Sequence, residues 1–70
     1  MAKKKRNTGP FFISEGAGII EIWHAQSLEV VKIWTYNTVQ EGIEALAEAE
    51  AERDRLNDEW RKELSNGLGH

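Results

Sequence analysis

Between residues 19 and 36, apolar and polar side chains alternate in two short runs, IIEIWHA and EVVKIWTY, either side of a turn centred on Gln26-Ser27. Period-two alternation rich in β-branched and aromatic residues is the pattern of strands on a pleated sheet. The runs predict a hairpin with strands over 19–25 and 29–36. Upstream, the apolar FFIS at 11–14 predicts a short edge strand, and Glu15-Gly16-Ala17-Gly18 supplies the connecting turn. Gly9-Pro10 breaks the chain before it.

The hairpin register follows from pairing His24 with Glu29. Ile22 then meets Val31 and Ile20 meets Ile33, an aliphatic quartet on one face. On the other face Trp23 meets Val30, Glu21 meets Lys32 and Ile19 meets Trp34. The opposed charges of Glu21 and Lys32 favour this alignment by a few tenths to about 1 kcal/mol. Both faces carry large apolar groups, yet a monomer of this size has only one small core to offer them. The aromatic face of Ile19, Trp23, Val30, Trp34 and Tyr36 is therefore the prime candidate for an interface with a partner or a second copy.

From Thr38 the period changes. Thr38-Val39-Gln40-Glu41 fits a capping box, in which the Thr hydroxyl accepts from the Glu41 amide and the Glu carboxylate reaches back. Strong helix formers continue to Leu64, with Gly42 the one weak position, and Ser65-Asn66-Gly67 reads as the stop. The expected helix over 38–65 is roughly 40 Å long, against about 23 Å for a seven-residue strand. The sheet can thus cover only its first half. Val39, Ile43 and Leu46 are expected to pack on Ile20, Ile22, Val31 and Ile33. Leu56, Trp60 and Leu64 form a second stripe, which calls for a dimer partner or a bend back onto Phe11 and Phe12. Val39, Leu46, Arg53 and Trp60 recur at heptad spacing, but Arg53 interrupts the seam and no coiled coil is assigned.

The architecture read from the pattern is α+β: a small antiparallel β-β-β sheet followed by one long C-terminal helix, expected as a homodimer. Residues 1–9 read as a basic disordered tail, 10–37 as the sheet, 38–65 as the amphipathic helix and 66–70 as a C-terminal tail.

Composition sharpens the expectation of a partner. A 70-residue chain is one domain at most, with a marginal core, and small scaffolds usually need a disulfide, a metal or oligomerisation. There is no cysteine, and the two histidines, His24 and His70, lie far apart, so no metal centre and no cofactor is assigned. No apolar run spans a bilayer, and no apolar segment follows the basic start as a signal peptide requires, so a cytoplasmic chain without membrane contact is expected.

The net charge of −3 is unevenly distributed. Lys3, Lys4, Lys5 and Arg6 form a basic block, while the rest of the chain sets twelve acids against five Lys or Arg, a net −7. The block could contact phosphates, the one route to nucleic acid that the composition leaves open. Its plain reading is a solubilising tail. Glu41, Glu44, Glu48, Glu50 and Glu52 run along the helix without a cation, either as a solvated face or as a mimic of phosphate. Arg55 with Glu59 and Asp58 with Lys62 form ordinary i,i+4 pairs. His24 opposite Glu29 reads as a cross-strand pair. Ser14, Ser27 and Ser65 sit in turn or cap settings, with no base beside them, and no enzyme is expected.

These features support a non-enzymatic interaction protein that binds and modulates or inhibits another protein. A phage-type inhibitor of a host enzyme or defence system has this size and style. The alternative is a dimer that sequesters a small nucleotide-like ligand between aromatic rings, and a further one is a weak nucleic-acid binder acting through the basic tail.

Overall fold

The Thr38 half of the capping box forms as the sequence predicts. In a computed structural model, which describes residues 9–68 and side chains as far as Leu64, the Glu41 amide donates to Thr38 Oγ1 at 3.1 Å. The Glu41 carboxylate reaches back one residue further than the cap, to the Asn37 amide, at 3.0 Å. One orphan donor of the first turn, the Glu41 amide, and the amide just before the cap are thereby satisfied. The helix α1 runs Val39–Leu68, three residues past the predicted stop at 65. Before it come strands β1, Phe11–Gly16, β2, Ile19–His24, and β3, Glu29–Thr35, in an antiparallel sheet of order β1-β2-β3. The fold is α+β, three antiparallel strands followed by one long C-terminal helix. The basic residues Lys3, Lys4, Lys5 and Arg6 lie outside the described residues.

The β1–β2 turn is tighter than expected, because β1 continues through Gly16 and only Ala17 and Gly18 link the strands. Gly18 takes φ +73°, a conformation L side chains rarely adopt. The β2–β3 turn closes through the Leu28 amide on the His24 carbonyl at 2.7 Å, with the Ser27 amide donating to His24 Nδ1 at 3.3 Å.

Register is where the fold departs from the sequence reading. His24 opposes Glu29 and Trp23 opposes Val30 as expected, but Ile22 then opposes Lys32, leaving Val31 as an extra residue. This β-bulge moves every later residue of β3 to the opposite face. Ile20 consequently faces Trp34 rather than Ile33, and Glu21 faces Ile33 rather than Lys32. Ile33 and Val31 are exposed, and Trp34 lies on the helix side.

The size pattern of α1 explains the exchange. Its sheet-facing stripe is built of small residues, Gly42, Ala45 and Ala49, and such a surface needs large side chains opposite to fill the layer. Ile20, Ala45 and Ala49 form the buried cluster, with Ile13, Trp34, Tyr36 and Leu46 packed around it. A Cβ on Gly42 would stand 2.8 Å from Tyr36 Cε2, so the glycine is what lets that ring lie against the helix. Val39 and Ile43, expected in the core, are 80% and 59% exposed.

Further along, α1 meets the start of β1 through a buried amide. Asn57 Oδ1 accepts from the Phe11 amide at 3.0 Å, and Asn57 Nδ2 donates to the Phe11 carbonyl at 3.1 Å. Because Ala25 N bonds the Pro10 carbonyl, alternation of the ladder turns Phe11's own backbone groups away from β2. The asparagine side chain therefore occupies the place of a fourth strand at that point.

Candidate interaction surface

The face of the sheet turned away from α1 carries three cross-strand rows. Phe12, Trp23 and Val30 form the first, Ser14, Glu21 and Ile33 the second, and Gly16, Ile19 and Thr35 the third. Two of the three rows end on β3 with an exposed aliphatic side chain, and Phe12 is itself exposed. One carboxylate stands among them. Glu21 Oε1 accepts from the Trp23 indole N–H at 3.0 Å, which satisfies the ring nitrogen and draws the indole down over the strand. The surface that results is mostly apolar, with a single half-buried acid near its centre.

Of the five residues expected on this face, Ile19, Trp23 and Val30 are there. Trp34 and Tyr36 are not, and the bulge at Val31 is the cause for Trp34. Its indole N–H donates to Glu48 on α1 at 3.2 Å, and Lys32 Nζ lies 5.3 Å from its ring centroid. Tyr36 packs on Gly42 and directs its hydroxyl to the Gly16 carbonyl at 3.4 Å. In their place the face holds Phe12 and Ile33, which sequence reasoning assigned elsewhere. Alternation along FFIS would have separated Phe12 from Phe11 and Ile13. Nothing short of the bulge could have moved Ile33.

The distal helix stripe divides. Leu56 and Trp60 line a shallow depression of about 140 Å³ with Phe11, Glu59 and Glu63, so they turn back onto β1. Leu64 remains 47% exposed. Leu56 and Trp60 thus follow the expected bend back toward Phe11, and Trp60 keeps partial exposure.

The acidic run is largely engaged. Glu41 serves the cap, Glu44 accepts from Gln40 at 3.2 Å, and Glu48 holds the Trp34 indole. Arg55 bonds both oxygens of Glu52, at 3.1 and 2.5 Å, which together with its charge holds the Glu52 carboxyl below the ordinary carboxylate range. Lys32 on β3 adds a smaller push in the same direction. Arg55 also reaches Glu59 at 2.8 Å, the predicted pair, whereas Asp58 pairs with Arg61 rather than Lys62. His24 keeps its place opposite Glu29, but its ring stands edge-on to Phe11 at 4.9 Å between centroids and its Nδ1 serves the turn.

Among the described residues no group of three His, Asp or Glu side chains is arranged to hold a metal ion, and no helix is long and apolar enough to cross a membrane. Comparison with protein families, curated proteins and solved structures finds no match to the chain.

Proposed function

We propose that this protein is a non-enzymatic interaction module that binds another protein through the outer face of its sheet and modulates it. One observation carries the reading. The largest fully buried apolar side chains are Ile20 and Ile22, while Phe12, Val30 and Ile33 stand 38–51% exposed together on one face beside Trp23. A small domain that leaves more large apolar surface outside than inside gains its missing burial from a partner. Aromatic anchors such as Phe12 and Trp23 beside aliphatic side chains suit that role. Glu21 adds a preference for a partner presenting a cation beside apolar side chains. A phage-type inhibitor of a host enzyme is one form such a chain can take, by analogy of size alone.

The ligand-sequestering alternative draws less support, since two of its rings, Trp34 and Tyr36, are committed to the helix side. The test is capture with the whole chain as bait, comparing wild type with Phe12→Asp. The expected outcome is one partner in stoichiometric yield, lost with the variant while its circular dichroism and melting are unchanged. Binding should also shift Trp23 fluorescence to shorter wavelength. Retention of the same partner by Phe12→Asp would refute the assignment to this face.

A further inference from the structure

The two edges of the sheet are not equivalent. At β1 the outward-facing amide and carbonyl of Phe11 are taken by Asn57, while the same alternation turns those of Ile13 and Glu15 outward. At β3 no side chain among the described residues plays the part of Asn57. The Tyr36 amide bonds the Gly18 carbonyl, so alternation places the bonds of Trp34 and Lys32 toward β2 and turns the N–H and C=O of Ile33 and Thr35 outward. Every residue of β3 except Trp34 is exposed. This edge is a strand template with apolar side chains on it.

We propose that β3 pairs with β3 of a second copy, antiparallel about a two-fold axis at Ile33, joining the two sheets into one of six strands. A two-fold axis perpendicular to the sheet keeps each copy's inner face on the same side, so only registers centred on a residue are allowed. Centring on Lys32 sets lysine against lysine, which like charges oppose. Centring on Ile33 sets Ile33 against its own copy on the outer face, Val31 against Thr35, and Lys32 against Trp34 of the second copy. Lys32 already lies 5.3 Å from the ring centroid of its own Trp34, so this register places a second indole beside the same cation. Glu48, on the Trp34 indole, and Glu52, within electrostatic reach of Lys32, supply acids on the same side of the sheet.

The bulge at Val31 gives this contact its limit. It interrupts the edge at Val31, opposite Thr35 of the second copy, leaving the run from Lys32 to Trp34 as the regular template. Such a short edge fits one antiparallel copy and not an open stack of strands. Pairing leaves the outer rows uncovered and makes them continuous across the axis, so the dimer doubles the proposed partner surface without consuming it.

The chain has no native cysteine, which allows a direct test. Directly paired residues of an antiparallel ladder have Cα atoms about 4.5–5.5 Å apart, within the range a disulfide spans. Under mild oxidation the Ile33→Cys chain should cross-link to itself, and Thr35→Cys should do so far more slowly. Light scattering should give twice the chain mass for the wild type and for Phe12→Asp. Ile33→Pro, which removes an N–H not used within the chain, should give the monomer mass with unchanged circular dichroism. Three results would each overturn the proposal: a wild type monomeric at the highest concentration, equal cross-linking of the two cysteine variants, or loss of the dimer in Phe12→Asp. That last result would transfer the contact to the sheet face. Partner capture is read separately, so failure of the edge contact and failure of the partner-binding reading are distinguishable.

Discussion

Replacing Asn57 removes the side chain that occupies the outward-facing backbone groups of Phe11 at the edge of β1. The amide is 1% exposed and spans 46 positions of sequence to reach Phe11 with one donated and one accepted bond. Each such bond contributes about 1 kcal/mol net, and a backbone amide stranded without a partner costs about 1–3 kcal/mol. Asn57→Ala should therefore destabilise by about 2–4 kcal/mol. A chain of this length has a total stability on the order of 4–10 kcal/mol, so the variant would lose a large part of it. At about 4–8 °C per kcal/mol for a domain of this size, the melting temperature should fall by about 8–32 °C. Thermal and urea unfolding followed by far-ultraviolet circular dichroism measure the loss. The decisive comparison is Asn57→Leu, which restores volume but offers Phe11 neither donor nor acceptor. If the bonds matter, Leu is nearly as damaging as Ala, and the Phe11 amide loses protection in hydrogen exchange. A Leu variant within about 0.5 kcal/mol of wild type would show that the site is held by packing, and the strand-replacement argument would fail.

Two further outcomes follow from the helix. Gly42→Ala gains about 1 kcal/mol of helix propensity but brings a methyl group to 2.8 Å from Tyr36 Cε2. Overpacking costs about 1–3 kcal/mol, so the net effect should be destabilising in wild type and stabilising in a Tyr36→Leu background, a reversal read by a double-mutant cycle in urea. For Glu52, Arg55 lowers the folded-state pKa below 4.5, so its stabilising contribution is present above that value and is lost as pH falls through the depressed one. Melting temperature on the acid side should accordingly fall less steeply for Glu52→Gln than for wild type. Identical acid limbs would count against the pair.

Local chemistry was enough to place the elements. Alternation gave the strands, Thr38 and Glu41 gave the start of α1, and the order of the pieces gave an α+β fold, because each of these rests on neighbours within a few positions. Alternation alone also separates Phe12 from Phe11. Ile33 and Trp34 were legible as strand residues but not as outer and inner ones, since their facing turns on one unpaired residue. A bulge carries no distinctive composition here, and Val31 looks like any strand valine. The role of Asn57 was likewise hidden, because a single asparagine in a helical run announces neither burial nor its partner.

The sequence by itself determined where backbone bonds close locally: three strands, two short turns, one capped helix, and an excess of apolar residues over what one small core can hold. Tertiary structure decided which of those residues the core takes. Gly42, Ala45 and Ala49 leave a shallow helix surface, and filling it required Trp34 and Tyr36 rather than Ile33, which the bulge at Val31 made possible. Close packing across the layers, a property of distant segments together, chose the face that was left outside.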